Sequence, residues 1–216
     1  MKVLELFSGT RSIGKAFEEK GHEVFSIDYC EEFVADLHDD IEFLTAEKVL
    51  ELFGKPDVIW ASPDCTTYSV AAISHHRRKN GETGSLDAVS EYAQKCDRVN
   101  RNMLRLIEEL QPKYWFIENP RGGFRKMDFI QGKPRHTVTY CQYETDKPVK
   151  DRRMKPTDIF TNHPDPQFKK PCKNGDACHA RAPRGARTGT QGIKGAKDRS
   201  RIPVALCRHV VAICDR

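Results

Sequence analysis

Cys65 stands just past an apolar run, Asp57-Val58-Ile59-Trp60-Ala61, and follows Ser62-Pro63-Asp64. Polar residues, Thr66-Thr67-Tyr68-Ser69, come after it. A thiol delivered by a Pro-x-Cys turn at the end of a buried strand is placed for nucleophilic attack, not for core packing. A second run, Trp115-Phe116-Ile117, ends in Glu118-Asn119-Pro120. Upstream, Phe7-Ser8-Gly9-Thr10 turns from a strand toward a helix. Gly9 allows close ligand approach there, and the free N–H groups at the helix start favour an anionic or polar group. The pattern is not Gly-x-Gly-x-x-Gly, which disfavours a nicotinamide cofactor. Asp28 closes the next apolar run, where a carboxylate accepts ribose hydroxyls or, alternatively, caps a following helix. Tyr29 beside it suits an adenine face, and Asp40-Ile41 suits the base amine, with Asp39 an equal alternative in register. A cofactor turn, a thiol and an acid, each closing a strand, point to a group-transfer enzyme.

The elements that must position these groups alternate. Strands are expected at 3–8, 24–27, 57–61 and 114–118, and helices at 11–20, 30–38 and 46–53. A long helix at 88–110 carries the apolar stripe Val99, Met103, Leu106, Ile107 and Leu110. Further strands are expected at 136–143 and 158–161. This alternation predicts a doubly wound, mostly parallel α/β sheet. Residues 70–87, with His75-His76-Arg77-Arg78-Lys79, read as a mobile basic loop directly after the nucleophile. Composition changes again over 162–198, an irregular basic insert, and a closing helix follows at 202–213, with Ser200 as its cap and Pro203 in its first turn. The expected organisation is a catalytic domain over 1–161, completed by 199–216, and a target-recognition insert over 162–198.

With 216 residues the chain is long enough for one domain with a buried core. No apolar run approaches a membrane span, and the start of the chain reads as a strand rather than a signal peptide. Cytoplasmic placement, reduced thiols and a monomer without membrane contact are therefore expected. The eight cysteines are scattered, which favours catalytic or metal-binding roles over disulfides. The net charge of +5 is unevenly spread. Residues 1–60 hold 6 Lys/Arg against 14 Asp/Glu, whereas residues 147–201 hold 15 against 5. The basic block is rich in Gly and Pro, so a polyanion partner is the favoured reading over a solvated face.

Taken in order, Phe7-Ser8-Gly9, Asp28, Pro63-Asp64-Cys65 and Glu118-Asn119 resemble the motifs of the DNA cytosine-5 methyltransferases, in particular compact members from phages and prophages. The resemblance covers residues 3 to about 161 and resumes at Arg199-Ser200-Arg201-Ile202-Pro203. It implies the sheet of the S-adenosylmethionine-dependent methyltransferases, that cofactor, and double-stranded DNA as partner. It places Phe7, Ser8, Gly9, Thr10, Asp28, Tyr29, Asp40, Ile41, Pro63 and Ser200 with the cofactor. It implies that Cys65 adds to C6 of a flipped-out cytosine, that Glu118 contacts the ring N3 and amine, and that Asn119 holds Glu118 or the turn around Cys65. Arg153, with Lys155, falls near the motif that binds the cytosine carbonyl and phosphates.

Three features depart from the family pattern. Asp64 stands where Pro-Pro-Cys is usual, Thr66 where glutamine is common, and the arginine motif is blurred to Arg152-Arg153-Met154-Lys155. A carboxylate beside a thiol raises its pKa, so these departures keep open a catalytically weak nucleic-acid-binding protein. A cytosine-5 methyltransferase acting on RNA, such as tRNA, is a further alternative. The stretch 181–192, with Arg181, Arg184, Arg187 and Gln191, is the expected groove-contacting segment. Cys172, Cys178 and His179, with His163 nearby, form a candidate structural zinc group, the alternative being free thiols in a flexible module.

Overall fold

The structure, a computed structural model, describes residues 1–180, 195, 198 and 200–216. The expected groove stretch 181–192 lies outside the described residues. The chain opens with β1 (Lys2–Leu6), α1 (Ser12–Glu18), β2 (Glu23–Asp28), β3 (Leu37–His38), α2 (Ala46–Leu52) and β4 (Val58–Ala61). Next come α3 (Ile73–His76), β5 (Arg77–Lys79), β6 (Leu86–Ala88) and α4 (Glu91–Leu110). The chain ends with β7 (Tyr114–Pro120), β8 (Arg135–Thr139), β9 (Pro156–Thr161) and α5 (Val204–Cys214).

Seven strands form one sheet in the order β3-β2-β1-β4-β7-β9-β8. The central strands are short apolar runs buried on both sides, as parallel strands covered by helices must be. Leu4, Leu6, Ile59 and Ile117 pack with α2 and α4, whereas Val3, Val58, Trp60 and Phe116 pack with α1 and α5. The period-2 alternation of side chains thus fills two cores from one set of strands. All pairings through β7 are parallel, and β9 alone runs against both neighbours. Among the described residues, no helix is long and apolar enough to cross a membrane.

Several expectations are corrected. Residues 30–38 hold no helix: Asp36 Oδ2 accepts from the Ser26 N–H (2.8 Å) and hydroxyl (2.6 Å), drawing the chain against β2 as the short edge strand β3. The strand expected over 136–143 stops at Thr139, and Tyr140–Gln142 form a 3-10 turn. Residues 70–87 are built into α3 and the hairpin β5–β6. Within that segment Arg77 is fully buried, and its guanidinium donates to the Thr67 carbonyl (3.1 Å), the Thr67 hydroxyl (3.1 Å) and Asp97 (2.7 Å). The helix expected from 88 begins at Glu91, where Ser90 caps α4 by accepting from Ala93 N (3.1 Å). The helix α5 begins after Pro203 with no side-chain cap, and Ser200 is exposed ahead of it.

Candidate active site

The order of strands reverses between β1 and β4, and this is where open α/β sheets bind ligands, outside the carboxyl ends of the strands. The expected groups lie past those ends. Phe7 leaves β1 with a φ of 57°, and Gly9 follows at 48°, so the backbone curls back over the sheet edge. A Cβ at Gly9 would meet nothing within 4 Å, which leaves open space over the turn. Asp28 fastens this turn: its Oδ2 accepts from Gly9 N (2.8 Å) and its Oδ1 from Cys30 N (2.9 Å). Each carboxylate oxygen retains a second lone pair. Ser8 is buried, and its hydroxyl has no partner among the described residues. Thr10 and Ser12 share a hydroxyl contact of 2.8 Å.

Tyr29 follows Asp28 and stands 67% exposed. Asp40 is paired with Lys95 (2.7 Å) and Asp39 with Lys48 (2.8 Å). Ile41 is buried in the core, and its carbonyl accepts from Asn102 (2.6 Å).

Cys65 enters the 3-10 turn Thr66–Tyr68 that follows β4. The turn is held from two sides. Asn119 Nδ2 donates to the Pro63 carbonyl (3.1 Å), so Asn119 holds the segment leading into Cys65. Asp64 is exposed and its carboxylate is engaged: it accepts from Thr66 N (2.6 Å) and from the Tyr92 hydroxyl. Burial pushes the Cys65 thiol up to about 11; the Glu118 charge adds to the push, Lys155 opposes it, and Asp64 contributes less than either. Glu118 is itself buried and accepts from the Tyr140 hydroxyl (2.9 Å). Burial raises its carboxyl, against the opposing effects of Lys155, Tyr140 and Ser62. The Lys155 ammonium lies over the Tyr140 ring, 4.6 Å from its centroid.

Lys155 is therefore the cation felt by both the thiol and the acid. Arg153 donates to the carbonyls of Lys150 (2.6 Å) and Arg152 (3.3 Å). Tyr140 carries no signal of its own in the sequence, where 136–143 reads as one continuous strand. Glu5 was missed as well. Buried beneath the first turn, it accepts from Ile13 N (3.2 Å), and burial raises it to about 7. A lone acidic residue inside an apolar strand was the available signal.

A second cluster joins the end of β8 to the segment after β9. Cys141, Cys172, Cys178 and His179 bring their ligand atoms within 4.8 Å of one another, an arrangement able to hold a metal ion. His163 is not part of it. Its Nε2 lies 3.1 Å from the Ile213 carbonyl, and its Nδ1 accepts from Asp165 N (3.1 Å). Cys141 takes the fourth position instead.

No family model matches the chain. Among curated proteins it is 30% identical over 230 residues to the "Probable DNA (cytosine-5)-methyltransferase" of Frog virus 3 (isolate Goorha), covering 99% of this chain and 100% of that protein. Among solved structures it is similar to the Entamoeba histolytica methyltransferase EhMeth, with a TM-score of 0.51 and 13% identity over 84% of this chain and 57% of that one. It is also similar to the S. pombe Dnmt2 methyltransferase, with a TM-score of 0.47 and 16% identity over 74% of this chain and 48% of that one. The chain thus spans about half the length of these solved structures.

Proposed function

The chain belongs to the DNA (cytosine-5)-methyltransferase family, and from that premise we propose that it methylates C5 of cytosine in double-stranded DNA through a transient bond between Cys65 and C6 of a flipped-out base. The observation that carries this reading is the turn of Cys65, which Asn119 ties through the Pro63 carbonyl (3.1 Å) to the strand bearing the buried Glu118.

S-adenosylmethionine fits the first turn: the open face over Gly9, the unpartnered buried Ser8 hydroxyl and the spare lone pairs of Asp28 suit a polar nucleoside. In this reading Phe7, Ser8, Gly9, Thr10, Asp28, Tyr29, Asp40, Ile41 and Pro63 surround it. When bound, it supplies an electrophilic methyl group beside C5.

The rest of the chemistry belongs to the chain. Glu118, whose carboxyl burial raises, carries a proton toward N3 of the cytosine while the Cys65 sulfur gives up its own proton to solvent and bonds to C6. Electrons displaced from the C5–C6 double bond make C5 nucleophilic. With Glu118 protonated, its negative charge no longer opposes the Cys65 thiolate, and the Lys155 ammonium acts on that thiolate against only the weaker Asp64 charge. After methylation, loss of the C5 proton restores the double bond and expels the Cys65 sulfur. Extruding the base costs about a few kcal/mol, offset by contacts that the basic segment 162–198 makes with the duplex. That segment serves as the recognition insert, and residues 1–161 with 199–216 carry the catalysis.

The test is transfer of a labelled methyl group to duplex DNA and to tRNA, with wild-type protein and Cys65→Ser side by side. Wild type is expected to label duplex DNA and to form a covalent adduct with 5-fluorocytosine DNA. Cys65→Ser is expected to lose about three orders of magnitude or more in rate. Equal transfer by the two proteins rejects the adduct. Labelling confined to tRNA moves the substrate to RNA, and DNA binding without turnover leaves a binding protein.

A further inference from the structure

We propose that Cys141, Cys172, Cys178 and His179 form a closed Cys3His zinc site that clasps the loop-rich segment after β9 to the end of β8. The Cys141 sulfur lies 3.3 Å from Cys172 Sγ and 3.9 Å from Cys178 Sγ. His179 Nδ1 lies 3.7 Å from Cys172 Sγ and 3.3 Å from Cys178 Sγ. A tetrahedral zinc with Zn–S near 2.3 Å and Zn–N near 2.0 Å sets its ligand atoms about 3.5–3.8 Å apart. The four separations above, 3.3–3.9 Å, straddle those edges, and all four ligand atoms lie within 4.8 Å of one another, so small side-chain adjustments close the tetrahedron. Cys178 and His179 are adjacent in sequence, but their side chains converge on the same point.

The surroundings are those of a built site. Gln142 Nε2 lies 3.5 Å from Cys178 Sγ, the kind of N–H···S contact that supports a bound thiolate. His179 is buried, with only Nδ1 facing the sulfurs. Backbone donors on the segment lock it to the same corner: Cys172 N to the Thr139 hydroxyl (3.1 Å), Lys169 N to the Tyr143 hydroxyl (2.8 Å) and Ala180 N to the Arg152 carbonyl (3.0 Å). Residues 162–180 contain no helix or strand, and a short irregular segment of this kind needs a staple to hold one shape. A disulfide would engage only two of the three sulfurs and leave the third, with His179, unexplained. Three thiolates and an imidazole select zinc over harder ions, and four protein ligands leave no open position for catalysis.

The site reaches the reaction through one bond of the chain. Cys141 adjoins Tyr140, whose hydroxyl holds Glu118, so the metal fixes the backbone that aims this phenol. The inference does not depend on the methyl-transfer reading.

The experiment uses the full chain. Metal analysis of protein purified without chelator is expected to give one zinc per chain. After the metal is stripped under reducing conditions, titration with cobalt(II) is expected to give the intense visible absorption of a tetrahedral thiolate complex, saturating at one equivalent. Cys172→Ser and Cys178→Ser are expected to weaken cobalt binding by about 100-fold or more, whereas Cys65→Ser and His163→Gln keep it. The cobalt spectrum of the unsubstituted chain stands as evidence even where a ligand variant fails to fold. A reduced wild-type chain that gives no tetrahedral cobalt spectrum overturns the site. So does a Cys172→Ser chain that binds as tightly as wild type, or a metal-free chain carrying a Cys141–Cys172 disulfide that withstands reduction. None of these readouts requires a methylation assay.

Discussion

With its thiol pushed up to about 11, Cys65 is held as S–H in the free chain at neutral pH. The sign of each neighbour's effect follows from charge: removing a negative group favours the thiolate and lowers the titration, and removing a cation raises it. The pH at which Cys65 becomes reactive is therefore expected to fall in Glu118→Gln, to fall less in Asp64→Asn and to rise in Lys155→Met. The check is the rate of iodoacetamide labelling at Cys65 against pH, read by peptide mass spectrometry. A downward shift in Lys155→Met would remove that lysine from the site. Asp64, the most suspect departure in the sequence, is thus the weaker of the two acids acting on the thiol. Its carboxylate is occupied by Thr66 N and Tyr92, a destination that local sequence cannot show because Tyr92 lies 28 residues further on.

At the scale of elements, the residues that close parallel strands were the legible ones. Phe7-Ser8-Gly9, Asp28, Cys65 and Glu118 each follow an apolar run, and a parallel sheet brings such ends to one edge. Tyr140 and Lys155 were harder to place because their position depends on direction. β9 runs antiparallel, so it begins where β7 finishes, with Thr157 opposite Pro120. Lys155, just ahead of that strand, therefore reaches the site from a strand's start rather than its end. Antiparallel pairing also sets Thr139, at the end of β8, against Pro156, so Tyr140 arrives at the same edge. The segment 70–87 was misread for a related reason. Its charges suggested solvent, whereas Arg77 turns inward onto Asp97 and the Tyr68 ring, 4.2 Å from its centroid. Tyr68 in turn donates to Asp97 (2.7 Å) and accepts from Asn100 (2.8 Å), so the turn after Cys65 is bolted to α4. Arg77→Ala leaves that carboxylate and phenol without their shared partner and is expected to cost about 3 kcal/mol in urea unfolding. A loss below about 0.5 kcal/mol, the size of an ordinary surface change, would show that the network does not anchor the turn.

On the scale of the whole molecule, the charge division predicts how nucleic acid is held. The first 60 residues, with 6 Lys/Arg against 14 Asp/Glu, build β1 to β4, whereas the block at 147–201 holds 15 against 5. Duplex binding by that block is expected to weaken linearly on a log–log plot against salt, with a slope of about −0.9 for each phosphate neutralised, and roughly five phosphates in contact. Fluorescence anisotropy across a salt series measures it, and a flat profile would remove the basic block from the interface. Fold class was open to sequence reasoning because alternation of strand and helix survives errors in single elements. The place of Cys141 in the Cys/His cluster was not, because it lies 31 residues before Cys172.

The reversal of strand order has a practical side. The rim where β1, β2, β4 and β7 start carries Lys2, Glu23, Val58 and Tyr114, and every candidate catalytic group sits at the far rim. Lys55 and Lys113 are exposed beside those starting ends. A tether attached at either lysine would moor the enzyme to a sensor chip with its working side toward solution, whatever duplex is passed over it.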